Sequence, residues 1–496
     1  MYPWAPVYRE DEVGERLIDA LRKKSCYPHE VTSIDVIESD LSWVVLTGEF
    51  AYKIKKPIDL YFLDASTLEA RHTLCQSEFN LNQRSFKDLY LGVVGIYQSE
   101  TGIMVGVSNG EPIEYAVKMY QFDPAQTLNQ IHDREGFNHD RLESLCQAVF
   151  ELHSKAPVSS IEMPFGEPNS LYVPAQLNFD QVRPNLSDAK DLSQLLQLEA
   201  WAHEYLRRLW PRFAERKDLG MIRECHGDLH LGNVVETEEH GIRLFDCIEY
   251  RAEFRWIDVI SEIAFLTVDL EARDDYASAW HLLNRYLELS GDYHALWIYQ
   301  GYQAYRAMVR AKECLLGLNA PILPTETDTS PLARYRRYAV MAEHATMIRP
   351  RVLLITLGLD IDIRQSLTHQ LIDDFGMIRL RSDLEQQRLY SGQENTSPKT
   401  YRHLVELAEL SLRAGFPIVI SGSFENPDDR ERFRRLAESH GLLFGILTDE
   451  ESANQAQLGE EELASTHVLR LDDSDRMIRE VRDLGQSFGM HLGVQC

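Results

Sequence analysis

The chain lacks long apolar runs and paired cysteines, and both absences narrow its class. No stretch of its 496 residues approaches the roughly 18 consecutive apolar residues that a membrane-spanning helix needs. Residues 1–20 are acidic and lack the apolar core of a signal peptide. The seven cysteines are scattered without a CxxC pair, so they support neither a disulfide framework nor a zinc site. We therefore expect a cytoplasmic protein with free thiols and no membrane association.

Basic residues are also fewer than acidic residues. The chain has 51 lysines and arginines against 78 aspartates and glutamates, a formal net charge of −27. This balance argues against nucleic acid or an anionic membrane surface as a partner and would favour the approach of a cationic molecule. A hydrophobic content of 44% is typical of globular proteins, and the length predicts two or three domains.

The order of apolar patterns predicts a two-lobed domain over residues 1–345. Strand-like runs surround a helix at about Thr67–Arg84, which indicates an α+β lobe over about 1–120. A helical lobe follows over about 121–345, with one strand-rich segment at Cys225–Tyr250. The long helical stretches of this lobe are expected at 189–216, 256–289 and 294–317.

The pattern changes again after residue 350. Short buried runs alternate with helical segments, which predicts an α/β domain with a parallel sheet over 350–496. The candidate strands are Val352–Thr356, Pro417–Ile420 and Gly441–Leu447.

The strongest chemical motif is the segment His226-Gly-Asp-Leu-His-Leu-Gly-Asn233, which Asp246 follows. Asp228 and Asn233 have the spacing of the kinase HxDxxxxN loop, in which the aspartate accepts the proton of the acceptor hydroxyl. The residues between them and Asp246 predict a β-hairpin that returns Asp246 to the side of Asn233. Amide and carboxylate oxygens are suitable Mg²⁺ ligands, so the motif predicts phosphoryl transfer.

Phosphoryl transfer also needs a lysine for the nucleotide phosphates and an acid that holds this lysine. Ala51-Tyr52-Lys53 has the A-x-K form of a kinase third strand, and Glu78 lies on the next predicted helix. Lys55 would point to the same face of the strand, and a solvated lysine cluster is the alternative interpretation. We prefer Lys53 because it follows an alanine at the right offset. No GxGxxG loop precedes it, so the turn 39–42 would have to cover the phosphates.

Residues from about 30 to 317 resemble the aminoglycoside phosphotransferase and choline-kinase superfamily. More narrowly, the chain resembles bacterial two-domain proteins in which such a domain is fused to a P-loop domain of the AAA type. The resemblance implies a protein-kinase-like fold, ATP and Mg²⁺ as cofactors and a small-molecule hydroxyl as acceptor. The segments that carry it include Gly48–Pro57, His226–Asn233, Leu244–Tyr250 and Arg255–Asp258.

The resemblance also implies a role for each candidate residue. Asp228 would be the catalytic base, Asn233 and Asp246 would bind Mg²⁺, Lys53 and Glu78 would form the nucleotide clamp, His226 and Asp258 would support the catalytic loop, and Glu249 would approach the metal or face solvent.

The C-terminal domain departs from these relatives in its phosphate loop. They carry a glycine-rich loop that ends in Gly-Lys-Ser/Thr, whereas Leu357–Ser366 contains one glycine and two aspartates. Lys399 is the only lysine after Lys312, so no lysine is available to offset phosphate charge. Ser421–Ser423 replaces a metal-organising aspartate, although Arg381–Asp383 resembles the substrate-side motif. We expect a degenerate, noncatalytic domain; a displaced motif is the alternative.

Three functions are compatible with these residues. The leading hypothesis is an ATP- and Mg²⁺-dependent phosphotransferase with an alcohol group as acceptor and a regulatory or docking C-terminal domain. The second is a nucleotide-binding pseudokinase that acts as a scaffold or sensor, which the intact set of polar residues argues against. The third is an active P-loop kinase, which the missing lysine opposes. The residues determine neither the acceptor nor the oligomeric state.

Overall fold

The computed structural model describes residues 12–60, 63–100, 102–106, 110–318, 323, 328–390, 397–455, 458–469 and 474–490. Residues 1–11 and 491–496 of the predicted domains lie outside this part. Within it the chain forms a kinase-like two-lobed domain followed by an α/β domain with a parallel sheet, which confirms the predicted fold class. None of the helices in the described ranges combines the length and apolarity that crossing a bilayer requires.

The N-lobe is a six-stranded antiparallel sheet with the strand order β1-β2-β3-β8-β6-β7. A helix packs across its central strands. The elements are α1 (Glu12–Leu21), β1 (Asp35–Glu38), β2 (Ser42–Leu46), β3 (Phe50–Lys55), β4 (Asp59–Leu60), β5 (Leu63–Asp64), α2 (Leu68–Asn82), β6 (Tyr90–Ser99), β7 (Gly102–Val105) and β8 (Glu114–Tyr120).

The alternation of β3 positions the basic side chains of this lobe. Tyr52 packs into an apolar cluster that includes the buried side of α1. Ala51, on the opposite face, packs with Cys75 of α2. Because side chains alternate along a strand, Lys53 and Lys55 share the face of Ala51 and lie toward α2.

The C-lobe is mostly helical and carries two small antiparallel sheets, β9 with β12 and β10 with β11. Its elements are α3 (Leu128–Glu135), α4 (His139–Lys155), α5 (Asn169–Val182), α6 (Ala189–Asp218), β9 (Ile222–Glu224), β10 (Val234–Thr237), β11 (Gly241–Leu244), α7 (Ala252–Arg255), β12 (Trp256–Asp258), α8 (Val259–Glu271), α9 (Tyr276–Ser290), α10 (Leu296–Leu315) and α11 (Pro331–Thr346).

The helical stretch expected at 256–289 is present but interrupted, because it contains the short strand β12 and the two helices α8 and α9. Asp258 caps the N-terminus of α8 by accepting a hydrogen bond from the N–H of Ile260. Asp275 caps α9 in the same way, through the N–H of Ser278. Each cap satisfies a backbone donor that a continuous helix would have bonded internally, so the chain can turn between the two helices.

The C-terminal domain is a five-stranded, all-parallel sheet with the strand order β14-β15-β13-β16-β17 and helices packed around it. Every residue of β13 is buried, as expected for a central parallel strand. The elements are β13 (Val352–Thr356), α12 (Ile361–Phe375), β14 (Ile378–Arg381), α13 (Ser382–Tyr390), α14 (Ser397–Ala414), β15 (Ile418–Ser421), α15 (Pro427–Ser439), β16 (Leu443–Thr448), α16 (Glu450–Gln455), α17 (Glu460–Ala464), β17 (Thr466–Val468) and α18 (Ser474–Ser487).

The C-terminal domain packs directly on α9 of the C-lobe. The side chain of Asn284 accepts a hydrogen bond from the N–H of Arg379 (2.7 Å) and donates one to the carbonyl of Met377 (3.0 Å). The guanidinium of Arg379 then pairs with Glu288, also on α9, at 2.7 Å. These buried polar contacts fix the position of β14 against the kinase-like domain.

Candidate active site

Lys53 and Glu78 meet across the N-lobe, as the sequence predicts. The ammonium nitrogen of Lys53 lies 2.9 Å from Oε1 of Glu78 and also contacts the carboxylate of Asp246 from the C-lobe. Burial alone would lower the pKa of Lys53, but the charges of Asp246 and Glu78 raise it well above its usual value. Lys53 is therefore held charged in the cleft between the two lobes.

Lys55 is a second member of this group. Its ammonium nitrogen lies 2.5 Å from Oε2 of Glu78 and 2.6 Å from Oε1 of Glu249. The side chain of Glu249 is 6% exposed, so it does not face solvent, which was one of its two expected positions. The five residues Lys53, Lys55, Glu78, Asp246 and Glu249 are called the interlobe cluster below.

Hydrogen bonds of the backbone hold Asp246 in place. It has a φ of 64°, in the left-handed region that is uncommon for residues other than glycine. Its N–H donates to the hydroxyl of Tyr90 at 3.2 Å, and the preceding N–H of Phe245 donates to the carbonyl of Asn233 at 3.0 Å. The hairpin of β10 and β11 therefore returns Asp246 to the side of Asn233, as the sequence predicts.

The loop between β9 and β10 brings Asp228 and Asn233 together. The amide nitrogen of Asn233 donates to the carbonyl of Asp228 at 2.9 Å, and it lies 3.4 Å from Oδ2 of the same residue. His226 is buried, and its Nε2 lies 2.7 Å from the carbonyl of Phe245. His226 thus joins the loop to the segment that leads from β11 to Asp246.

Sequence reasoning missed two acids of α8 that hold this loop. Glu262 accepts hydrogen bonds from the N–H groups of His226 and Gly227, and Asp269 accepts one from Leu231 at 2.8 Å. Both acids are buried within a helix whose residues are all buried. A charged residue inside such an apolar run was the signal that could have identified them, because a buried charge requires a partner.

Asp258 lies behind the loop and does not bond to it directly. It forms a two-pronged ion pair with Arg216, with both N–O distances at 2.8 Å. Arg216 also pairs with Asp292, so one guanidinium links α6, α8 and the segment before α10. This position is consistent with the structural role predicted for Asp258, because β12 pairs with β9, the strand that precedes the loop.

Neighbouring charges shift the pKa values of Asp228 and Tyr250. Burial would raise the pKa of Asp228, but His230 and Arg310 outweigh it and hold the pKa below its usual value. Burial raises the pKa of Tyr250 well above its usual value, and the negative charges of Asp228, Glu249 and Asp246 raise it further. The phenol of Tyr250 therefore keeps its proton at neutral pH.

The donor atoms of this cleft suit a divalent cation. Three carboxylates of the interlobe cluster face two ammonium groups, which leaves an excess of negative charge. Burial and the negative charge of Glu78 raise the pKa of Glu249, and together they outweigh the opposite effect of Lys55. Asp246 offers carboxylate oxygens, and Asn233 offers its amide oxygen because its amide nitrogen is engaged with Asp228. Mg²⁺ prefers hard oxygen ligands of this kind.

In the loop after β13, where a phosphate loop would lie, two backbone N–H groups are bonded to carbonyls of the protein. The N–H of Leu357 donates to the carbonyl of Leu447 at 2.8 Å, and the N–H of Gly358 donates to Ser423 at 3.0 Å. A phosphate loop keeps such N–H groups for its ligand. Lys399, expected in a loop, lies in the first turn of α14 and is exposed.

Comparison with known proteins gives a family match for each domain. Residues 104–296 match the model of the phosphotransferase enzyme family. This segment is similar to the phosphotransferase family. It contains Asp228, Asn233 and Asp246, whereas Lys53 and Glu78 precede it. Residues 366–458 match the model of an AAA domain, so this match begins after the loop that follows β13. The resemblance predicted from the motifs is confirmed for both parts.

A relative aligns with this chain across both domains. An uncharacterized protein of Mycobacterium tuberculosis is 27% identical over 451 residues, which cover 84% of this chain and 85% of the relative. A solved choline/ethanolamine kinase family protein from Mesorhizobium loti is 13% identical with a TM-score of 0.36 and covers 63% of this chain and 93% of its own. An aminoglycoside phosphotransferase from Alicyclobacillus acidocaldarius is 14% identical with a TM-score of 0.37, covering 65% and 91%.

Proposed function

We propose that the chain is an ATP- and Mg²⁺-dependent phosphotransferase that transfers the γ-phosphoryl group to a hydroxyl of a small molecule. The observation that carries this proposal is an unbroken series of polar contacts across the cleft. It runs from Glu78 through Lys53 to Asp246, and from the hairpin beside Asp246 to Asn233 and Asp228. Phosphoryl transfer depends on this kind of positioning and charge neutralisation more than on covalent chemistry by the protein.

Asp228 is the residue that we assign to the acceptor hydroxyl. Its lowered pKa keeps it ionised at neutral pH, so it can accept a hydrogen bond from the hydroxyl and orient it. Its side chain is 40% exposed, which leaves it accessible to an acceptor. His230 lies 3.7 Å from its Oδ2 and limits how the carboxylate can turn.

Lys53, Asp246 and Asn233 would bind the nucleotide side of the reaction. Lys53 offers a cation to the phosphates, and Asp246 and Asn233 offer oxygen ligands to Mg²⁺. A bound Mg²⁺ would neutralise the charge that develops on the phosphate oxygens. Between the lobes, Ala51 packs in an apolar cluster with Phe122 and Phe245, and this surface suits the flat face of a nucleotide base.

The C-terminal domain would be noncatalytic. Two N–H groups of its first loop are bonded to carbonyls of β16 and of the segment after β15, and the only lysine of the domain is exposed on α14. A catalytic phosphate loop needs free N–H groups and a lysine at this place. A docking or regulatory role remains for the domain, in keeping with its close packing on α9.

The test compares wild-type protein with Asp228→Asn. Each is mixed with MgATP and a panel of hydroxyl compounds that includes choline, ethanolamine, spectinomycin and sugars, and ADP release is measured. Loss of a positioned base should lower turnover by roughly 10²–10⁴-fold. Asp218→Asn, an exposed change at the end of α6, is the matched control and should keep wild-type turnover.

The result also separates the alternatives. Full ADP release in Asp228→Asn would remove this residue from the mechanism and assign the turnover to another site, the C-terminal domain included. Wild-type protein that binds MgATP but consumes it with no acceptor of the panel would favour the pseudokinase function.

A further inference from the structure

Three histidines meet where the C-terminal domain packs on the kinase-like domain. His139 begins α4, His281 lies on α9 and His369 lies on α12. The ring centroids are 4.8 Å apart for His139 and His281, 5.4 Å for His139 and His369, and 5.2 Å for His281 and His369. The three rings thus form a compact triangle contributed by both domains.

A carboxylate completes this group. Glu143 follows His139 by one helical turn, so both side chains lie on the same face of α4. One ligand atom from each of His139, Glu143 and His281 lies within 4.8 Å of the others. Arg285 holds Oε2 of Glu143 at 2.6 Å, which leaves Oε1 facing Nε2 of His281 at 3.6 Å.

His281 supplies the observation that points to a ligand. Its side chain is buried, yet its Nε2 has no hydrogen-bond partner among the described residues. A buried polar atom of this kind costs about 1–3 kcal/mol unless something binds it. The second buried group of possible metal ligands, His153, Cys225 and Glu262, differs in this respect. Its members already form hydrogen bonds with the loop between β9 and β10 and with α9.

The spacing of the group agrees with tetrahedral zinc. Two ligand atoms at about 2.0–2.1 Å from one zinc lie roughly 3.4 Å apart, close to the 3.6 Å between Glu143 and His281. Two imidazoles on the same ion place their ring centroids about 5 Å apart. The three observed centroid distances, 4.8, 5.2 and 5.4 Å, are all near this value.

We propose that His139, Glu143 and His281, whose ligand atoms lie within 4.8 Å of one another, bind a zinc ion. His369, whose ring centroid lies 5.4 Å from that of His139 and 5.2 Å from that of His281, turns toward the ion as the fourth ligand and ties α12 to the kinase-like domain. Imidazole with one carboxylate favours zinc over Mg²⁺ or Ca²⁺. Arg285 acts as the outer partner that orients the carboxylate ligand. Two arginines of β14 lie near His369, and both are paired, Arg379 with Glu288 and Arg381 with Asp383. The ion joins the domains because His369 comes from the C-terminal domain and the other three ligands from the C-lobe.

The test uses the full chain without a histidine tag, stripped with a chelator and kept in excess Mg²⁺ to saturate the ATP site. Zinc content after equilibrium dialysis is measured by mass spectrometry, and Co²⁺ is used as an absorbing substitute. We expect one zinc per chain and the visible absorption of four-coordinate Co²⁺. His281→Ala and His369→Ala should each weaken zinc affinity by more than about 10–100-fold, the effect of losing even an outer partner of a metal site.

Two control variants separate this site from other sources of binding. His344→Ala removes a half-buried histidine of α11 outside the cluster and should bind zinc like wild type. Asp246→Ala removes the candidate Mg²⁺ ligand and should also retain zinc. Zinc binding that is lost in Asp246→Ala but kept in His281→Ala would place the ion in the active site and overturn the proposal.

A second measurement guards against misfolded variants. Zinc should slow amide hydrogen exchange in α12 of the wild-type protein, because the ion closes the contact between α12 and the C-lobe. The same exchange should not respond to zinc in His369→Ala. Wild-type protein that binds no more zinc than His281→Ala, with no change in exchange, would show that the three histidines are a packing contact only.

Discussion

At the scale of single residues, the two lysines of β3 share Glu78 but differ in their other partner. Lys55 pairs with Glu249, and the side chains of Lys55, Glu78 and Glu249 are 5%, 0% and 6% exposed. Lys53 pairs with Asp246, whose side chain is 41% exposed. Lys55 therefore neutralises buried charge, whereas the partner of Lys53 remains accessible to water and to a ligand.

This difference predicts opposite consequences for the two lysines. Lys55→Met leaves Glu249 buried without a cation, so the free energy of unfolding should fall by about 3–5 kcal/mol. Lys53→Met should cost about 1 kcal/mol or less, because Asp246 is solvated and Glu78 keeps Lys55. It should instead lower kcat/KM for ATP by roughly 10²-fold, the effect of losing one charge-stabilising group.

Urea unfolding and steady-state kinetics of the two variants check this prediction. Lys56→Met is the matched control, since Lys56 pairs with Glu38, whose side chain is 64% exposed. It should change stability by less than about 1 kcal/mol. Equal stability losses for Lys53→Met and Lys55→Met would contradict the distinction.

At the scale of elements, α8 is a buried helix with one acid, Glu271, that forms no ion pair within the described part of the chain. Glu271, at its end, is 8% exposed and accepts a hydrogen bond from Gln303 at 2.7 Å. Burial raises its pKa to about 7, and Arg349 and Gln303 only partly offset this effect. The folded protein therefore holds a proton on Glu271 that the unfolded chain releases near pH 4.5.

The sign of the pH effect follows from this raised pKa. The stabilising contribution of protonated Glu271 is complete below about pH 4.5 and is lost as the pH rises through about 7. Glu271→Gln should match wild type near pH 5 and exceed it at pH 8, by at most about 3 kcal/mol. Urea unfolding at several pH values measures the difference. Glu204→Gln, an exposed change on α6, should show no such divergence, and parallel curves for Glu271→Gln and wild type would refute the assignment.

Local sequence patterns predict the elements of the site better than their boundaries and partners. The alternation of β3 and the hairpin before Asp246 are local features, and both are present. The apolar run over 256–289 predicts a helical stretch but not its interruption, because its continuous hydrophobicity hides the cap at Asp275. The partner of Glu249 could not be predicted, since Lys55 is 194 positions away and only the folded chain brings them together. The charge of Glu262 inside an apolar run signals a buried partner, but only the folded chain shows that this partner is the loop at His226 and Gly227.

At the scale of the whole molecule, the two domains share one hydrophobic core. A single cluster of buried residues includes Trp280 of α9 and Phe416 of the C-terminal domain, with ring centroids 6.4 Å apart. The guanidinium of Arg349, in the connection between the domains, lies 4.2 Å from the Trp280 ring. A Cβ at Gly376 would lie 2.6 Å from the same ring, so α12 ends in close contact with it. An interface of this kind couples the unfolding of the two domains.

We therefore expect a single thermal transition for the full chain, with equal calorimetric and van't Hoff enthalpies. Trp280→Ala opens a cavity in the shared core and should cost about 3–5 kcal/mol. Because the lost contacts join the domains, it should also split the transition into two. Trp210→Ala, which removes a 39% exposed tryptophan of α6, should cost no more than about 0.5 kcal/mol and leave one transition. Two well-separated transitions already present in wild type would mean that the domains unfold independently, in which case their contact positions the C-terminal domain without stabilising the kinase-like domain.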